Sequence, residues 1–128
     1  MRVLEAGDWG LLLPDEWQAE QEDDAIVIGD RDGVGCIEIS ELRKDSGDFG
    51  ADDLKQFVPD ASAWDSSRCG SFEGICTSLL EEGAAIREWY LYAGQLLLYV
   101  TYSCEADNQG LDDSAVDDIL DTLRMAIE

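Results

Sequence analysis

Between Ser71 and Glu105 the chain reads SFEGICTSLLEEGAAIREWYLYAGQLLLYVTYSCE, three long runs of strand-forming residues broken at Glu82-Gly83 and Ala93-Gly94. Taking each break as a two-residue turn sets a register, because successive side chains of a strand point to opposite faces. One face then collects Phe72, Cys76, Leu80, Trp89, Leu91, Leu96, Leu98, Val100 and Tyr102. The other collects Ile75, Thr77, Leu79, Ile86, Glu88, Tyr90, Tyr92, Leu97 and Tyr99. A sheet that is apolar on both sides needs cover on both sides, and the rest of the chain has to supply it.

Upstream, RVLEA and GLLLP read as short strands, the second ended by Pro14, which has no backbone N–H to donate. WQAEQ alternates Trp17, Ala19 and Gln21 against polar neighbours and reads as a third strand. In DFGADDLKQFV, Asp52 can cap a short helix that places Leu54, Phe57 and Val58 on one side. The following PDASAWDSSRCGS reads as loop, with Trp64 either plugging the core or exposed. The last segment, LDDSAVDDILDTLRMAIE, predicts a helix capped by Asp112 or Asp113, with Val116, Ile119, Leu120, Leu123 and Ile127 on one stripe.

The expected architecture is therefore α+β: a mostly antiparallel sheet of about six strands with a short middle helix and a C-terminal helix packed on it. No repeat, low-complexity tract or linker divides residues 1–128, which read as one domain.

The stretch GDRDGVG, residues 29–35, has the look of a calcium loop. With Gly33 at the sixth position, Asp30 is third and Asp32 fifth, but Ile28 and Ile39 fall at the first and twelfth, where acidic ligands are required. The loop fails as an EF-hand and reads as a turn between strands, the second marked by Ile37 and Ile39 alternating with Cys36, Glu38 and Ser40.

Composition decides which partners are open to the fold. Thirty acidic residues against eight basic ones give a formal net charge of −22, spread along the chain. Such a surface repels phosphate backbones and anionic lipids, so neither nucleic acid nor membrane is an expected partner. Solubility, salt adaptation and complementarity to a basic protein remain, and the presence of only two lysines among the eight cations leans toward salt. The start, MRVLEAGDWG, carries no long apolar run and no later segment approaches a membrane span, which makes the cytoplasm the expected location. Cys36, Cys69, Cys76 and Cys104 show no C-x-x-C spacing and read as free buried thiols, with no metal or cofactor expected.

The order of these pieces resembles the PsbP/DcrB-like family of small α/β/α sandwich proteins. The resemblance is carried by LPDEW at 13–17 after an N-terminal strand, a hairpin, DDLKQF, the meander with REWYLYAGQLLLYVTY, and a closing helix ending ILDTLRM. It spans nearly the whole chain. It implies a non-catalytic protein, since family members are photosystem assembly factors, a nuclear transport cofactor, and adaptors or chaperones linked to secretion. The acidity of this chain departs from the family's ordinary composition, and that departure opens the question of a partner.

Catalysis finds little support. With no histidine there is no Ser-His or Cys-His pair, and GDRDGVG lacks the spacing and lysine of a phosphate loop. Asp23-Asp24, Asp52-Asp53 and Asp112-Asp113 are explained by a turn and two caps, so no catalytic residue is assigned and the chain is not expected to be an enzyme. Tyr90, Tyr92 and Tyr99 share the second meander face, and tyrosines flanked by acids suit protein binding, unless a helix covers them. Glu88, on the same face, either pairs with solvent or Arg43 or anchors a partner's arginine. Trp64 is a weaker candidate of the same kind.

The expected function is a small acidic protein-binding domain with a basic partner: an immunity protein neutralising a cationic toxin, or a secretion-associated adaptor or chaperone. The alternatives are a salt-adapted housekeeping domain and, behind it, a carboxylate-based hydrolase or calcium-dependent module. The salt-adapted reading requires molar salt for folding, because self-repulsion at −22 destabilises the compact state. A thermal melt in dilute buffer tests it: full stability without salt removes that reading.

Overall fold

In the computed structural model of the protein, which describes residues 2–31, 33–58, 60 and 63–125, the meander forms the centre of a seven-stranded antiparallel sheet. Its strands are β3 (Trp17–Gln21), β4 (Ile26–Asp30), β5 (Gly35–Arg43), β6 (Asp65–Cys69), β7 (Phe72–Glu81), β8 (Ala84–Ala93) and β9 (Leu96–Glu105), in the order β3-β4-β5-β9-β8-β7-β6. A second sheet, β1-β2-β10, joins β1 (Arg2–Glu5) and β2 (Trp9–Leu13) to β10 (Arg124–Met125). The helix α1 (Asp113–Leu120) lies between β9 and β10 in the chain.

The small sheet and α1 close one face of the large sheet. Ile26, Ile28, Ile37, Ile39, Trp89, Leu91, Leu98 and Val100 meet Trp9, Leu11, Leu13, Val116, Ile119, Leu120 and Leu123 in one buried cluster. This is the first of the two meander faces, and its membership is as the alternation of the sequence places it. The first turn is also as expected, with Glu82 at φ +45° and Gly83 at φ +85°, the left-handed pair that a type I′ hairpin needs. The second lies one residue later than expected, at Gly94-Gln95, where Gly94 (φ +58°) takes the first loop position. Moving a loop by one residue shifts the pairing by two positions, which keeps every side chain on its face.

The expected α+β architecture of about six strands, an α/β/α sandwich, is corrected. The chain is mostly β, ten strands in two antiparallel sheets, with one α-helix among the described residues. The middle helix is only a six-residue 3₁₀ segment, Ala51–Gln56. Its expected cap, Asp52, points into solvent, and Asp53 accepts the Gly50 N–H at 2.8 Å and the Lys44 ammonium at 3.0 Å instead. DSSRC, read as loop, is the edge strand β6; its polar composition carries no strand signal, and its pairing with β7 makes it one.

The closing helix is shorter than its stripe suggests. It ends at Leu120 because the Thr122 hydroxyl donates to the Ile119 carbonyl at 2.6 Å and accepts the Leu12 N–H at 2.8 Å, drawing the chain onto β2. Leu123 is buried beyond the helix end, β10 follows, and Ile127 lies outside the described residues. Residues 29–35 form the expected turn, in which the Asp30 carboxylate accepts the Gly33 N–H at 2.8 Å; Asp32 lies outside the described residues.

Asp112 stands at the N-cap of α1 but makes no cap hydrogen bond; its carboxylate accepts the Tyr102 hydroxyl at 2.6 Å. Tyr102 is buried, and Gly35 on the neighbouring strand leaves room for it: a Cβ there would stand 2.4 Å from the Tyr102 hydroxyl. The bond ties the start of α1 to the large sheet. Tyr102→Phe is expected to cost about 1–2 kcal/mol by leaving Asp112 without its donor, read from urea unfolding. A loss indistinguishable from zero would mean that this bond does not hold the helix in place.

Candidate functional site

The second face of the large sheet is covered only in part. Phe49 and Leu54 close over Leu97, with Ile75, Tyr90 and Tyr92 packed at their margin. Covering one end leaves the rows further along exposed or half-exposed. The pairings place Ser40, Tyr99, Tyr90 and Ile75 side by side in one row across β5, β9, β8 and β7. The next row on the same face runs Glu38, Thr101, Glu88 and Thr77.

Three of the four aromatic candidates come together. Tyr90 lies 4.7 Å from Tyr99 between ring centroids, and Trp64 leans on it at 5.6 Å. Phe57 stacks on Tyr90 at 5.5 Å, an addition that the sequence reading assigned to a helix face. Such offset and tilted geometries are the favourable ones for aromatic pairs. Tyr92 stands one row away beside Leu97, and its hydroxyl donates to Glu73 at 3.2 Å. The structure thus separates it from the other rings.

Glu88 belongs to the cluster through Tyr99, whose hydroxyl donates to it at 3.2 Å. It does not pair with Arg43, which binds Asp8 and approaches Glu41 on the other side of the sheet. Among the described residues no lysine or arginine pairs with Glu88 or Glu38, whereas Lys44, Lys55, Arg68 and Arg87 are all engaged by carboxylates elsewhere. The role of Glu38 was missed in the sequence, although its signal was present: with Ile37 and Ile39 buried in the core, Glu38 has to face the other way.

Beside the rings runs a groove of about 200 Å³ lined by Ser40, Glu41, Leu42, Phe57, Tyr90, Leu97 and Tyr99. Its walls are mostly apolar, and Tyr99, which lines it, carries its hydroxyl to Glu88 in the next row. Burial holds the phenols of Tyr90 and Tyr92 above the ordinary range, with the Glu88 charge adding to the first and the Glu73 hydrogen bond to the second. Tyr99 is pushed up to about 12, by burial first and then by the charge and hydrogen bond of Glu88. These hydroxyls stay protonated at neutral pH, so they serve as hydrogen-bond donors and ring faces rather than as bases.

The same shifts fix a direction for alkaline stability. Folding favours the protonated phenols, so their contribution is complete below about pH 10, the unfolded value, and declines as pH rises through the folded values. Tyr99 sets the upper end of that decline near 12. Absorbance at 295 nm should show native tyrosines ionising above pH 10, with urea resistance declining over the same range. Native phenols that all titrate at 10 would contradict the burial of this face.

With this geometry in hand, comparison with known proteins identifies the fold. No family model matches the sequence, and no curated protein sequence aligns significantly with it. A crystal structure from Bacteroides thetaiotaomicron superposes with a TM-score of 0.69 at 16% identity, covering 94% of this chain. This chain spans only 46% of that one. LpqN, involved in cell envelope biogenesis in Mycobacterium tuberculosis, superposes with a TM-score of 0.64 at 16% identity, covering 98% of this chain and 90% of its own. At such identities the likeness establishes a shared small β-rich fold.

Proposed function

We propose that this chain is a small acidic, non-catalytic protein-binding domain that docks a basic protein on the second face of its large sheet. The observation that carries the reading is the Tyr90–Tyr99–Trp64–Phe57 ring cluster, rimmed by Glu88 and Glu38, with no lysine or arginine among the described residues paired to either. Aromatic rings with exposed edges supply the contact area of a binding site at low entropic cost, and acids at its rim select the partner's charge. At −22 the whole molecule also steers a cationic protein toward itself. Membership of the PsbP/DcrB-like family belongs to the same proposal, supported by LPDEW and the meander on a β-rich frame that LpqN shares.

Of the two roles expected from the sequence, the immunity protein and the secretion-associated adaptor or chaperone, the likeness to LpqN favours the adaptor, since that protein is involved in cell envelope biogenesis. Four free cysteines suit a reducing compartment, which supports the cytoplasm as this domain's location.

Affinity capture from a native lysate at graded ionic strength tests the reading. One basic protein is expected, held at low salt, released as salt rises, and not retained by Glu88→Ala or Tyr90→Ala. Retention that ignores both salt and these substitutions would overturn the docking face and the steering argument together.

A further inference from the structure

Resting on the protein-binding reading above, we propose that the groove along Tyr99 is an arginine subsite, which takes the side chain of an arginine in the basic partner. The groove is lined by Ser40, Leu42, Phe57, Tyr90, Leu97 and Tyr99, so its surface suits a methylene stem, and at about 200 Å³ it has room for one long side chain. In the row next to Tyr99, Thr101 is flanked by Glu38 on β5 and Glu88 on β8, all three on the same face. Neighbouring strands lie about 4.8 Å apart, so the two carboxylates rise from backbone positions roughly 10 Å apart across a small residue.

That spacing selects the ligand. A single calcium ion takes about six to eight oxygen ligands, of which this row offers two carboxylates and a threonine, and no cluster of three or more His, Cys, Asp or Glu that could hold a metal occurs among the described residues. A planar guanidinium presents donors on opposite edges, and can meet one carboxylate on each side while lying against the Tyr99 ring. An ammonium is a compact point charge without a face to stack, so it gains less from the same rings. A second copy of this chain, itself at −22, would bring more acids toward a rim that is itself acidic.

Tyr99 links the two halves of the subsite. Its hydroxyl donates to Glu88 at 3.2 Å, leaving the carboxylate with further lone pairs for a partner. Its ring forms the wall against Tyr90. The tyrosine therefore orients one carboxylate and stacks the cation that the carboxylate attracts.

Titration with a tetra-arginine peptide and with tetra-lysine, followed by backbone amide shifts in NMR, tests the subsite. Tetra-arginine is expected to bind more tightly, with the largest shifts at Glu38, Glu88, Tyr99 and Thr101. Glu38→Gln with Glu88→Gln should weaken it about tenfold, while Asp118→Asn with Asp121→Asn, an equal loss of charge at exposed positions at the end of the helix that covers the opposite face of the sheet, should change it less than about threefold. Tyr99→Leu should abolish the preference for arginine and retain charge-driven binding. Equal losses from the two charge pairs, or equal affinity for the two peptides, would overturn the subsite and leave the acidic docking reading standing. No binding of either peptide in dilute buffer would overturn both.

Discussion

Trp9, Leu11 and Leu13 of β2 meet Val116, Ile119 and Leu120 of α1 above the central strands, and that contact settles which side of the large sheet becomes the interior. Each group is too small to close a seven-stranded face alone. Together they remove one face from water, and among the described residues Phe49 to Val58, with Trp64, cover only part of the other. The open rows of the second face follow from that shortage. Rings and carboxylates that a third layer would have buried remain within reach of another molecule.

Much of this was written in the sequence, because strands of ten residues with a period of two leave little freedom of register. Phe72, Trp89, Leu91 and Leu98 on one face, with Tyr90 and Tyr99 on the other, required only alternation and two turns, and a loop one residue out of place did no harm. Legibility failed where the deciding partner is far away in sequence. Val116, Ile119, Leu120 and Leu123 make a helical stripe, but Leu123 is buried from a turn, since the Thr122 hydroxyl competes for a helix carbonyl and catches the backbone of β2. Asp112 looked like a cap and serves a tyrosine from the sheet. DSSRC has no strand pattern and is a strand by virtue of its neighbour.

The candidate site was legible to a similar degree. Tyr90, Tyr99 and Glu88 could be placed together because they lie on adjacent strands of one meander. Alternation gives Glu38 its direction but not its neighbours, because the pairing of β5 with β9 spans some sixty residues. Trp64 and Phe57 sit outside the sheet altogether, and their stacking on Tyr90 is a tertiary fact. The charge, by contrast, was legible in sign and magnitude and silent about place. Five of the eight cations meet carboxylates away from the Glu38–Glu88 row, and among the described residues no lysine or arginine pairs with it.

The bond from the Leu12 N–H to the Thr122 hydroxyl spans 110 positions, and β2 gains its second neighbour only when β10 arrives. A ribosome makes the meander long before it makes α1 and β10. During synthesis the large sheet can therefore pair its strands while Trp9, Leu11 and Leu13 still lack their covering partner. The early part of the chain waits on a segment 110 positions downstream, and the interior closes only once α1 and β10 have been made. In that interval the strong negative charge has a use unrelated to any partner, since it keeps unfinished chains with exposed tryptophan and leucine from meeting one another.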